Sequence, residues 1–223
     1  MFTADCFTFL TKLSLNNDRD WFKTNQTEYE LKVRTPALQF IEQMQPHIIA
    51  LSPRLTAVAK KVGGSLMRPQ RDSRFSHDKT PYKTNVGIQF RHFQGKDVHA
   101  PGLYLHLANE GCFIAAGIWH PESSALSAIR TCIDDNPNGY KKAITALSVS
   151  GFALDGDSLI RPPKGFDKNH PLIDELKRKD FIAVKNISIE QVIAPDFSQF
   201  CAEQFLHTQS LMQYLCFALD LDY

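Results

Sequence analysis

Between Arg68 and Thr84 the chain reads "RPQRDSRFSHDKTPYKT", a stretch unlike the rest. It holds five basic residues, Arg68, Arg71, Arg74, Lys79 and Lys83, against two acids, Asp72 and Asp78. Arginine suits phosphate and carboxylate groups because its planar fork donates paired hydrogen bonds while always charged. Three arginines recur at a spacing of three, and the lysines add flexible point charges. Pro81 stiffens the backbone, so Tyr82 and Lys83 leave it in a fixed direction. This pattern predicts an anion cradle, with Tyr82 lining it and Asp72 or Asp78 orienting arginines or acting as a general base. The bland alternative is a network in which the aspartates pair with the arginines and hold a long loop together.

Charge distribution favours binding. The segment sums to +3, while the whole chain carries only +1, so the remainder is slightly acidic. A protein that coats nucleic acid shows a strongly basic face and a domain pI above about 9, whereas the pI here is about 7.7. A small anionic, phosphate-bearing ligand is therefore the first expectation, and a nucleic-acid-binding module the second. A third is a partner-binding protein in which the segment is purely structural.

Other polar residues are weaker candidates. The consecutive residues Ser76, His77 and Asp78 cannot form a catalytic triad, because neighbouring side chains diverge while a triad needs them to converge. His92, His99 and His106 recur at intervals of seven without an HxH, HExxH or Cys/His cluster, so no metal site is predicted. His120, in "GIWHPE", lies where a strand gives way to a helix, and helix N-termini favour anions. The loop "RPPKGFDKNHP" (161–171) is a second basic segment, and Arg161 and Lys164 join the candidate ligand-binding residues if it folds against 68–84.

These residues need a scaffold. Thr3 precedes a helical pattern of Cys6, Phe9, Leu10 and Leu13, and Asp18 can cap a second helix starting "RDWF" and running through Tyr29 and Val33. In "NNDRDWF", Trp21 and Phe22 are expected to reach the core. Thr35–Pro36 reads as a new cap or a kink before a helix that continues to Leu51. "VGIQFRHF" alternates as a half-buried strand does, and "GLYLHLANEGCFIAAGIW" reads as a hairpin of strands 102–108 and 112–119. Helices follow from Pro121 and Gly139, then a short helix at Leu172–Lys177, the strand "FIAVKNI" and an apolar helical stripe over 196–219. One α+β domain spanning 1–223 is predicted, a mainly antiparallel sheet covered by helices.

The five cysteines are odd in number and widely spaced, which suggests neither zinc nor a disulfide framework. No apolar run approaches the ~18 residues of a membrane span, and the first residues do not read as a secretory signal. The expectation is a cytoplasmic protein with no membrane partner.

Taken together, "RDSRFSHDKTPYKT", "NNDRDWF", "GLYLHL", "GIWHP" and "RPPKGF" make the chain resemble the DUF2461 family, from the first helix to "LMQYLCFALDL". His77 stands where that family's pattern often carries a basic residue. The resemblance implies one α+β domain in a mostly microbial group. It implies no established activity, cofactor or catalytic residue.

Overall fold

A computed structural model describes residues 1–72, 74, 77–94 and 100–223. The first helix, α1 (Ala4–Leu15), buries Cys6, Phe9, Leu10 and Leu13 as its spacing requires. Thr3 sits at the N-cap in extended conformation, but its hydroxyl makes no capping bond. Asp18 does cap α2 (Arg19–Thr24), accepting from the Trp21 N–H at 2.8 Å. The predicted run through Val33 is broken. A separate turn, α3 (Gln26–Tyr29), leads into a π-helical turn at Glu30–Arg34, and α4 (Thr35–Leu51) follows without a gap. The wider turn accommodates Pro36, which has no N–H to offer the preceding carbonyls.

The sheet has six antiparallel strands among the described residues, in the order β1-β2-β3-β4-β6-β5. They are β1 (Leu55–Thr56), β2 (Asn85–His92), β3 (Gly102–Ala108), β4 (Cys112–Ile118), β5 (Ala153–Asp155) and β6 (Phe181–Ile187). Val86, Ile88 and Phe90 of β2 are buried, and Phe90 meets Phe205 edge-on at 6.0 Å. Helices α4, α9 (Phe197–His207) and α10 (Gln209–Ala218) pack on this face. The opposite face carries Gln89, Arg91, Tyr104, His106 and Phe113, all half-buried.

Helices α5 (Ser123–Asp135) and α6 (Pro137–Val149) close the core through Ile129, Ile133, Tyr140 and Leu147. Two short helices, α7 (Ile173–Leu176) and α8 (Ile189–Ile193), flank β6. The predicted 196–219 stripe is two helices, parted at Thr208, whose hydroxyl bonds back to the Phe205 carbonyl at 2.7 Å. All five cysteines are free. Among the described residues no helix is long and apolar enough to cross a membrane.

Candidate functional site

The described residues on either side of the charged segment's middle are held in backbone pairing. Residues 65–67 run antiparallel beside β2: Leu66 bridges Ile88, the Met67 N–H donates to the Gly87 carbonyl at 2.9 Å, and the Gln89 N–H donates to Ser65 at 2.8 Å. The chain then makes an excursion with paired arms. Gln70 bridges Tyr82, the Arg71 N–H donates to Pro81 at 2.9 Å, and the Lys83 N–H donates to Pro69 at 2.7 Å.

Closing those arms decides which charges pair. Arg71 bonds across the excursion to Asp78 and, at 2.8 Å, to the Thr80 hydroxyl. Arg74 grips Asp72 with a two-pronged contact at 2.9 and 2.7 Å. Those Arg74 bonds hold the Asp72 carboxyl down at about 2. Hydrogen bonds from Thr80, then from Arg71, lower that of Asp78. The tip is thus an ion-paired network, and two of the five expected ligand cations are engaged by the segment's own aspartates. Lys79 is exposed at the tip, away from the cleft described below.

Tyr82 anchors the excursion and does not line the cleft. Its ring stacks on Phe22 at 4.0 Å, its N–H donates to Asn17 Oδ1 at 3.1 Å, and Asn17 Nδ2 donates to its carbonyl at 2.9 Å. The motif "NNDRDWF" therefore does more than start a helix. It clamps the backbone from which Lys83 projects.

At the root of the excursion lies a cleft of 440 Å³, bounded by β1, β2 and residues 58–68. Its cations are Lys61, Arg68, Lys83 and Arg91, and no Asp or Glu lines it among the described residues. Arg91 projects from β2 on the face away from the helices. Its Nε donates to Gln89 Oε1 at 3.0 Å, which fixes the direction of the fork. Lys61 is 3.5 Å from Glu30, a carboxylate that also pairs with Arg34. Among the described residues, Arg68, Lys83 and Arg91 have no carboxylate within ion-pair distance. Partial burial, and then the charge of Arg68, lowers the pKa of the Lys83 ammonium.

One wall of the cleft is residues 61–65 of "KKVGGS", a glycine signal rather than a cluster of charge. Gly63 adopts φ 70°, and a Cβ on Gly64 would lie 2.4 Å from the Val58 carbonyl oxygen. Two adjacent glycines after two lysines let the backbone fold tightly beside the cations. Arg91 carries no such signal in the sequence, because it reads as any outward residue of an alternating strand.

His120, Arg161 and Lys164 are not brought to this cleft. His120 stands at φ 48° after β4, stacked on Trp119 at 4.2 Å. Its N–H donates to Asp180 Oδ1 at 2.7 Å, and its ring Nδ1 lies 3.0 Å from the same oxygen. Asp180 is fully buried and also accepts from the Asp157 N–H at 2.9 Å. Arg161 and Lys164 are exposed in the segment after β5, which is tied to the β6 side through Ser158–Arg178 and Leu159–Lys177 pairing. Strands β3 and β4 separate β6 from β2, which is roughly 14 Å of sheet at about 4.8 Å per strand. The condition for one joint positive cleft, that the second basic segment fold against residues 68–84, is not met by Arg161 and Lys164.

His92 is buried, with Nε2 2.8 Å from the Asp222 carbonyl, and His106 stacks on Phe113 at 4.6 Å with the Tyr104 hydroxyl 3.1 Å from Nδ1. His99 lies outside the described residues, as does Ser76. No group of three His, Cys, Asp or Glu converges among the described residues.

An antiparallel sheet with helices on one face, and a cation-lined cleft beside β1 and β2, define an α+β protein with a candidate anion site. The chain matches the family described as "Conserved hypothetical protein (DUF2461)" over residues 5–214, and it belongs to that family. Comparison with the curated proteins and with the solved structures gives no match.

Proposed function

We propose that the protein binds a small anionic, phosphate-bearing ligand in the cleft formed by Arg68, Lys83 and Arg91. One observation carries this reading: three cations without carboxylate partners among the described residues line one concavity that has no acidic wall. Bringing like charges together costs free energy unless an anion offsets it. A volume of 440 Å³ falls in the lower half of the usual range for small-ligand pockets, roughly 300–1,000 Å³. The fork of Arg91, aimed by Gln89, suits two phosphate oxygens, and Ser65, whose hydroxyl accepts from the Val58 N–H, has a proton left to donate at the wall. In this reading the tip residues Arg71 and Arg74 have a structural part. The separation of Arg161 and Lys164 from the cleft favours a compact ligand over a continuous nucleic-acid track. The reading places the protein in the cytoplasm, where five unpaired thiols stay reduced.

The test is a thermal-shift and calorimetric series with inorganic phosphate, pyrophosphate and phosphorylated metabolites. A ligand at a hundred times its dissociation constant stabilises the folded form by roughly 2.7 kcal/mol. Arg91→Gln should abolish the shift while leaving the unliganded melting temperature within about 2 °C, since the half-buried side chain has no ion pair among the described residues and gives up one hydrogen bond, to Gln89. Equal shifts in wild type and Arg91→Gln would refute the assignment.

A further inference from the structure

One residue of the cleft has a chemistry that binding alone does not use. Lys83 follows the clamped Tyr82, and its own N–H is bonded to Pro69 at 2.7 Å, so the stem of its side chain has a fixed origin. The side chain is half-buried and lines the cleft with Arg68 and Arg91. Lys12, Lys32, Lys61 and Lys177 each have a carboxylate within 4 Å. Lys185 donates instead to Ser150 O and Gln204 Oε1. The Lys83 ammonium has neither kind of partner among the described residues, and the charged groups sharing its cleft are the cations Arg68, Arg91 and Lys61.

Such surroundings oppose the charged form. Burial first, and the neighbouring Arg68 second, lower the Lys83 pKa and raise the share of free amine near neutral pH. A desolvated amine beside a second cation is one of the recognised ways of activating lysine as a nucleophile toward carbonyls. The guanidinium groups alongside it are suited to hold the anionic end of the same molecule.

We propose that Lys83 is the nucleophile of a carbonyl-trapping site, forming an imine with a small aldehyde or ketone whose phosphate or carboxylate rests on Arg68 and Arg91. This rests on the reading of the cleft as an anion site and adds the substrate's second functional group. The lone pair of Lys83 Nζ attacks the carbonyl carbon, and the carbonyl π electrons move to oxygen, which takes a proton. The nitrogen loses a proton to give a neutral carbinolamine; its hydroxyl takes up a proton and leaves as water while the nitrogen lone pair forms the C=N bond, and the remaining N–H proton is released to solvent. The net change joins one amine and one carbonyl into one imine and one water, with no oxidant or reductant.

The full chain is incubated with pyridoxal 5′-phosphate, a probe that carries both an aldehyde and a phosphate. Borohydride reduction fixes any imine, and peptide mass mapping locates it. The expected result is a dominant adduct on Lys83 at a probe-to-protein ratio near one. Inorganic phosphate in excess and the Arg91→Gln substitution should each lower that adduct about tenfold, as should replacing the probe with pyridoxal, which lacks the phosphate. The melting temperature of Arg91→Gln separates lost binding from lost folding. Adducts scattered over exposed lysines, with Lys83 no richer than the rest, would overturn the inference. So would a Lys83 adduct indifferent to phosphate and to Arg91→Gln. If inorganic phosphate still shifts wild-type melting while Lys83 stays unlabelled, only the imine fails; if the shift is absent too, the anion cleft fails with it.

Discussion

Replacing Asn17 with alanine tests whether the clamp on Tyr82 is what holds the charged excursion in place. The Asn17 amide reads both backbone groups of Tyr82, accepting from its N–H at 3.1 Å and donating to its carbonyl at 2.9 Å. Residues 65 apart in sequence are tied by this single side chain, in a half-buried setting. Each such bond contributes about 1 kcal/mol net, so Asn17→Ala should cost roughly 2 kcal/mol. For a chain of this length 1 kcal/mol moves the midpoint by about 2–4 °C, giving an expected fall of about 4–8 °C.

Asn16→Ala is the matched control. The Asn16 side chain donates to the Lys12 carbonyl at 2.9 Å at an exposed helix end, and its loss should cost no more than about 0.5 kcal/mol. Asn17→Asp should be worse than Asn17→Ala, because a carboxylate oxygen would face the Tyr82 carbonyl with no proton to donate. Circular dichroism melts read the three midpoints, and amide exchange at Tyr82 reads the clamp directly. Asn17→Ala within 1 °C of wild type, or indistinguishable from Asn16→Ala, would show that the Phe22 stacking and the backbone pairing of the arms hold the excursion without the Asn17 clamp.

Two further outcomes follow from the same geometry. Asp180→Ala takes from the N–H groups of His120 and Asp157 an acceptor that is itself only 1% exposed, a loss on the order of 2 kcal/mol that urea denaturation would register. Acid stability provides the other: Arg74 holds the Asp72 carboxyl at about 2, below its unfolded value near 3.9. A depressed carboxyl contributes stability that is complete above the unfolded value and lost as pH falls through the folded one. Asp72→Asn should therefore lose stability less steeply than wild type between pH 4 and pH 2, as followed by near-ultraviolet circular dichroism.

How far the fold was legible depended on how many residues each element had to reveal its period. Val86, Ile88 and Phe90 against Gln89 and Arg91 expose the two-residue repeat of β2, and Ile129 with Ile133 exposes the helical repeat of α5. A two-residue strand such as Leu55–Thr56 has no period to read, and neither has Ala153–Asp155. Both are created by pairing with β2 and β6, partners distant in sequence. The π-helical turn at Glu30–Arg34 is likewise a response to Pro36 and to packing against α1, and propensity carries no sign of it.

The site divided along a similar line. A charge surplus in residues 68–84 can be counted from the sequence, but which cations remain over after pairing is a property of the closed hairpin. Asp78 lies seven residues from Arg71 and reaches it only because Gln70 and Tyr82 bridge the arms. Once those arms close, the acids are consumed at the tip, and the uncompensated charge is displaced to the root. There Arg68 and Lys83 meet Arg91, contributed by a strand, and Lys61, contributed by a glycine-walled turn. The displacement is what gives the charge a concave setting. At the tip an arginine is surrounded by water, where an ion pair is worth little. At the root, partial desolvation lowers the local dielectric, so the same guanidinium attracts an anion more strongly and the Lys83 amine gives up its proton more readily.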